Sequence, residues 1–296
     1  LRQIDRALRS TMIRQKNFDI SETIIIIGSP RSGTTWLVEM MSNLSGTVVN
    51  WEPFHPKFGA LPSQINWGDS VGLTSDQKDR QTDRQTSLVE DVLTMKRFSN
   101  FTLRMATLPK IWNGKKVIMK SVRTTYSLPW ISEHFDLQHK PIYLLRHPIP
   151  TALSHLKAFG LRFEKNNQYS PPTFFNSDRF KDHAEYLGSL KTNLELEVAL
   201  WCLNNAENLN SNNKEKWCTL FYEDLVLHPK DKLKQTLEEI GLTVPNSFYN
   251  NIHYRSSSAT DFKNDMIEDS KKQLSKYLLK VSDNEIRAVQ NILGFF

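Results

Sequence analysis

Residues 23–27 read Thr-Ile-Ile-Ile-Ile, a run of apolar, β-branched positions with no polar residue alternating between them. A strand with one wet face alternates apolar and polar residues. An unbroken run predicts a strand buried on both faces, as in a parallel sheet. Gly28 to Gly33 interrupts it, and beyond Thr34 the apolar residues Trp36, Leu37, Met40, Met41 and Leu44 fall at helical spacing. Strand, tight loop and helix in that order are the opening of a mononucleotide-binding unit.

Further apolar runs predict strands at 47–50, 116–120, 141–145 and 217–222. Helical spacing between and after them predicts helices at 88–108, 126–135, 150–159, 182–205, 230–240 and 283–293. Strands alternating with helices imply an α/β fold: a P-loop-type three-layer αβα arrangement around a central parallel sheet. Residues 1–21 read as an N-terminal extension and 22–296 as a single domain. Two stretches, 54–84 and 162–177, are rich in Pro, Gly, Asn, Asp or Gln and carry little periodicity. Long loops of this kind inside a compact domain commonly build binding segments. The Asn-rich tract 204–213 reads as a helix end and surface turn.

Composition narrows the classes. Hydrophobic residues make up 39% and charged residues 24% of the 296, as in globular domains, and no run is long enough to span a membrane. A formal charge of +6 suits an anionic ligand but is too mild to argue for nucleic acid. The two cysteines, Cys202 and Cys218, form no C-x-x-C and no metal-ligand cluster, so neither a disulfide scaffold nor a metal is expected. Few cysteines and no visible signal segment favour the cytoplasm, with a lumenal catalytic domain of a membrane-anchored enzyme as the alternative.

The loop Gly28-Ser29-Pro30-Arg31-Ser32-Gly33-Thr34-Thr35 has the glycine spacing of the Walker A pattern. Backbone N–H groups of such a loop, with the positive end of the following helix, cradle a phosphate. The lysine that reaches the β- and γ-phosphates in that pattern is here Thr34. Its absence argues against triphosphate chemistry, and the positive charge has moved into the loop at Arg31.

The segment Pro30-Arg31-Ser32-Gly33-Thr34-Thr35-Trp36 resembles the 5′-phosphosulfate loop of the PAPS-dependent sulfotransferases (PAPS is 3′-phosphoadenosine-5′-phosphosulfate). The resemblance implies that Arg31, Ser32, Gly33, Thr34 and Thr35 hold the 5′-phosphosulfate and that Trp36 stacks on the adenine. Arg at position 31 is closer to the carbohydrate and tyrosylprotein members than to cytosolic members with Lys. Arg146, at the end of an apolar strand, with Ser154 eight residues on, resembles the family's 3′-phosphate motif. A guanidinium and a hydroxyl near a helix start suit a phosphate dianion. Tyr222, in Phe-Tyr-Glu-Asp-Leu, matches a family segment near the adenine, and Arg255 stands where members place a further 3′-phosphate ligand. PAPS as co-substrate, PAP (the 3′,5′-bisphosphate) as product and a small-molecule or glycan acceptor are what the resemblance implies.

Sulfuryl transfer to a hydroxyl needs a base and positive charge at the leaving oxygen. Lys120 stands at a strand end, but the position two residues on, where many members carry a catalytic His, is Val122. Glu52, in Trp-Glu-Pro after the second strand, resembles the base of the carbohydrate members, with His55 in reserve. The catalytic set expected is therefore Glu52, Arg31 and Lys120, with a sugar hydroxyl as the favoured acceptor. A P-loop kinase, and a PAPS- or PAP-binding protein without catalysis, are the competing readings.

Overall fold

The computed structural model describes residues 2–61, 80–160, 178–249 and 270–296. All five predicted strands form: β1 (Ile24–Gly28), β2 (Thr47–Trp51), β3 (Lys116–Ser121), β4 (Ile142–Leu145) and β5 (Cys218–Phe221). They make one sheet in the order β2-β3-β1-β4-β5, and every pairing is parallel. The four isoleucines of β1 are each fully buried and split between the two faces. Ile24 and Ile26 pack in one cluster with Trp36, Leu37, Met40 and Met41, while Ile25 and Ile27 pack in another with Val89, Leu93, Trp130 and Ile131. That two-sided burial is what the unbroken apolar run encodes.

The helices are α1 (Arg2–Arg14), α2 (Thr34–Met41), α3 (Arg80–Leu93), α4 (Leu108–Trp112), α5 (Leu128–His134), α6 (Pro148–Phe159), α7 (Asp178–Asp182), α8 (Ala184–Ser189), α9 (Asn193–Asn210), α10 (Tyr222–Leu227), α11 (Pro229–Glu239), α12 (Asn246–Tyr249), α13 (Ser270–Ser275) and α14 (Asp283–Phe295). Helices α2 and α11 cover one face of the sheet and α3 and α5 the other. A third cluster joins α6, α8, α9 and α14. The N-terminal segment docks on the domain, with Ile13 and Phe18 buried beside Val48 and Val117. No helix among the described residues is long and apolar enough to cross a membrane.

Three departures from the sequence expectations have local causes. The helix expected at 88–108 stops at Leu93, and Met95 turns into the left-handed region at φ 55. The chain then runs past the outer edge of the sheet, where the Thr102 carbonyl accepts from the N–H of Trp51 at 2.9 Å and so caps an otherwise open strand edge. The helix expected at 182–205 is two helices, α8 and α9, with α7 ending where it was expected to begin. The last starts afresh because Thr192 and Glu195 form a reciprocal capping box. The Asn tract is also not a surface turn at its start, because α9 carries on to Asn210, with Asn205 and Asn208 buried.

Those two asparagines tie α9 to the sheet. Asn205 Nδ2 donates to Ser29 Oγ at 2.8 Å, and its Oδ1 accepts from the Tyr143 hydroxyl at 2.6 Å. Asn208 Nδ2 donates to the Thr125 carbonyl at 2.7 Å. Burial raises the Tyr143 phenol's pKa, so it stays a donor. Asn205→Ala would leave the Ser29 and Tyr143 hydroxyls buried without these partners. It should cost at least about 2 kcal/mol, read as a lower urea midpoint at unchanged m-value. A loss below about 0.5 kcal/mol would mean that this network does not anchor the loop.

Candidate active site

A parallel sheet delivers all its strand ends to one edge, and ligands bind beyond the carboxyl ends where the strand order reverses. Here the order turns at β1, whose neighbours are β3 and β4. Along that edge the chain places Glu52 after β2, Lys120 near the end of β3, the Gly28–Gly33 loop after β1, Arg146 after β4 and Tyr222 after β5. Register aligns them: Trp51 pairs with Lys120, Ile26 with both Lys120 and Ile142, and Leu145 with Phe221. Each neighbouring strand is about 4.8 Å away, so groups on adjacent ends reach one ligand.

Within the loop, Arg31 (φ 69) and Gly33 (φ 102) adopt left-handed backbone on either side of Ser32. Between them the Ser32 N–H donates to the Ser29 carbonyl at 3.1 Å, closing the loop directly before α2. Glycine at 33 is required twice over: by its φ, and because a Cβ there would meet the Tyr222 ring at 2.5 Å. Ser32 and Thr34 are buried, and the Ser32 hydroxyl has no hydrogen-bond partner.

The second predicted anchor meets the first. Arg146 Nη1 donates to the Arg31 carbonyl at 2.9 Å, and Arg31 Nε donates to Ser154 Oγ at 3.0 Å. The Arg146 guanidinium lies over the Tyr222 ring, 4.3 Å from its centre, and its Nε has no partner. Burial and then the charge of Arg146 lower the pKa of Arg31. Two guanidinium groups are thus held in mutual repulsion, which an anion between them would relieve. Trp36 is 5% exposed, packed in the core with its ring edge-on to Tyr222 at 6.2 Å. Arg255 lies outside the described residues, as does most of the two loops expected to bind the acceptor.

On the other side of the loop, Glu52 and Lys120 form a buried ion pair. One Glu52 oxygen accepts from Lys120 Nζ, and the other from the N–H of Val122 at 3.1 Å. The backbone closes the same junction, with the Glu52 N–H donating to the Lys120 carbonyl at 2.8 Å, and Glu52 itself is left-handed at φ 43. Lys120 Nζ also sits over the Trp51 ring at 4.6 Å. His55 is nearby but committed: its Nδ1 accepts from the N–H groups of Lys57 and Phe58, both at 3.2 Å. Burial and Arg123 lower its pKa, opposed by Glu52. Both cysteines are buried thiols, their pKa values pushed up to about 12 by burial, away from reactive thiolate character.

Sequence reasoning missed Asn205, which holds the loop through Ser29, and the Val122 N–H, which holds Glu52. The first had a signal, because Val198, Cys202, Asn205 and Asn208 continue one buried stripe at helical spacing. The second is a backbone group and leaves no trace in residue type.

A protein-family model described as the sulfotransferase family matches residues 23–246. Among solved structures the chain is similar to mouse sulfotransferase SULT7A1 complexed with PAP, at 14% identity over 95% of this chain and 86% of that one, TM-score 0.45. It is similar to the sulfotransferase domain from the curacin biosynthetic pathway, at 19% identity over 76% of each chain, TM-score 0.39. Sulfotransferase STF9 from Mycobacterium avium matches at 10% identity over 99% of this chain and 80% of that one, TM-score 0.43. No curated protein sequence matches.

The buried pair gives a direct test of the edge. Lys120→Met strands the Glu52 carboxylate and should cost about 3–5 kcal/mol in urea unfolding. Lys120→Met combined with Glu52→Leu should recover most of that loss. A single-variant cost below about 1 kcal/mol would be the behaviour of an exposed pair and would contradict the buried geometry.

Proposed function

This chain belongs to the sulfotransferase family, and from that membership we propose that it moves a sulfuryl group from PAPS to an acceptor hydroxyl and releases PAP. The observation that carries this reading is the bonding of Arg31 to both Ser154 and Arg146, which makes one basic site of the loop after β1 and the end of β4. A nucleotide phosphorylated at its 3′ and 5′ positions suits such a site. In this reading the loop amides of Gly33, Thr34 and Thr35, with the Ser32 hydroxyl and the Arg31 guanidinium, hold the 5′-phosphosulfate. Arg146 and Ser154 hold the 3′-phosphate. The Ser154 hydroxyl accepts from Arg31, so its own hydrogen stays available to donate. The partnerless Ser32 hydroxyl and Arg146 Nε fit a site that expects an anion. Trp36 and Tyr222 are the aromatic pair offered to the adenine, Trp36 only through the little surface that its burial leaves. Thr34 in the Walker lysine position gives no support to a kinase.

For the transfer, the acceptor oxygen forms a bond to sulfur while the sulfur–oxygen bond to the 5′-phosphate breaks, and the acceptor's proton passes to Glu52. Lys120 and Arg31 supply positive charge for the sulfuryl oxygens and the leaving phosphate. Because Lys120 and the Val122 N–H fix the carboxylate, the base is oriented before substrate arrives. The Trp-Glu-Pro context of Glu52 favours a sugar hydroxyl as acceptor.

Arg146→Ala should weaken PAP binding by about 10- to 150-fold in calorimetric titration, as loss of charge-assisted hydrogen bonds does. Unchanged PAP affinity would remove Arg146 from the nucleotide site. Glu52→Gln should lower PAPS turnover by about 10²- to 10⁴-fold with PAP binding retained. Near-normal turnover in that variant would transfer the role of base elsewhere.

A further inference from the structure

Helix α1 packs on α4, the short helix that leads into β3. Arg9 of α1 donates to the Leu103 carbonyl at 3.2 Å. Lys16, just beyond α1, donates to the carbonyls of Trp112 at 2.7 Å and Gly114 at 3.2 Å. Ile13 is buried in the same contact. These bonds hold α1 to the domain by one face and leave another in water. The free face carries Ile4 and Leu8, one helical turn apart and exposed by 63% and 49%. Where α1 ends, Trp112 of α4 is exposed by 74%. Single exposed apolar residues are ordinary, but three along one helix, one of them a Trp, mark a contact surface.

The charge around them is not ordinary either. Residues 1–17 hold five basic residues, Arg2, Arg6, Arg9, Arg14 and Lys16, and one acidic residue, Asp5. This short segment therefore carries +4 of the chain's +6. Asp5 is taken up by Arg9. Arg6 and Arg14 are exposed and pair with no carboxylate among the described residues, and the same holds for Lys115, beyond Trp112.

The combination selects the partner. The core of a protein–protein interface is depleted of charge, and a second copy of this chain would set one +4 surface against another. A nucleic acid would use the cations but leave Ile4 and Leu8 in water. An anionic bilayer surface uses both. Its head groups attract the cations, and the boundary beneath them takes apolar side chains and Trp rings.

We infer that α1, with Trp112 at its end, docks the protein on an anionic lipid surface. Ile4, Leu8 and Trp112 enter the head-group region, and Arg6, Arg14 and Lys115 supply the attraction. At 13 residues α1 is too short to cross a bilayer, so the docking is peripheral and sensitive to salt. It is independent of the sulfuryl-transfer reading, because none of the groups assigned to that reaction lies on α1 or α4.

The full chain is sedimented with vesicles of neutral phosphatidylcholine, and with vesicles that contain about 30% phosphatidylserine, at about 50 mM and about 500 mM salt. At low salt the anionic vesicles should bind it at least about 10-fold tighter than the neutral ones, and high salt should release most of it. Ile4→Ser combined with Leu8→Ser should weaken binding to the anionic vesicles at least about 5-fold, at an unchanged melting temperature. If that pair lowers the melting temperature, and so loosens α1, Trp112→Ser decides by the same readouts. Equal binding to the two kinds of vesicle, binding to neither, or an unmoved affinity in the deciding variant would overturn the inference. Two further results would overturn it by naming another occupant. One is a dimer in sedimentation velocity that the double variant dissolves, and the other is binding to soluble polyglutamate as tight as to the anionic vesicles.

Discussion

One hydrogen bond, from Arg146 Nη1 to the carbonyl of Arg31, joins the strand that ends in Leu145 to the loop that follows Gly28. The two strands are already neighbours in a parallel sheet, so the bond costs little extra ordering of the backbone. Its effect is to bring two guanidinium groups together and to fix the left-handed turn at Arg31 by its own carbonyl. Everything assigned to the nucleotide depends on that junction. Tyr222, the first residue of α10 after β5, supports it, its ring against Gly33 and beneath Arg146. Asn205 supports it from behind through Ser29.

The site divides electrostatically at the loop. On one side, Arg31 and Arg146 are like charges held close, and the Arg31 pKa is lowered first by burial and then by the charge of Arg146. On the other, Glu52 and Lys120 are opposite charges buried together, an arrangement that is strongly unfavourable if one partner is lost but oriented while both remain. In the proposed transfer the first field serves the nucleotide's phosphates and the second the proton and the leaving oxygen. The parallel sheet brings them within reach of one another because all of its strands end on the same side.

Much of this was legible in the residue pattern. The four isoleucines encoded the central strand because burial on both faces leaves no room for polar alternation. The loop was legible because glycine spacing, a flanking strand and a flanking helix rarely coincide by accident. What escaped was of another kind. The helix expected through residue 108 stops at Leu93, and beyond it the contact of the Thr102 carbonyl with the edge of β2 at Trp51 overrides the local helical spacing. Asn205 and Asn208 looked like surface because asparagine is usually exposed, and only their tertiary partners reveal otherwise. The pairing of His155 with Glu197 joins α6 to α9 across 42 residues of sequence, and no local pattern announces it.

The central claim is that a single basic site takes both phosphates of one nucleotide. Competition calorimetry with PAP, adenosine 5′-monophosphate and adenosine 3′-monophosphate tests it most directly. The account predicts one PAP per chain, bound at least about 10-fold tighter than either monophosphate, with each monophosphate displaced by PAP. Monophosphates that bind as tightly as PAP, or a 3′-monophosphate that stays bound while PAP occupies the protein, would contradict it.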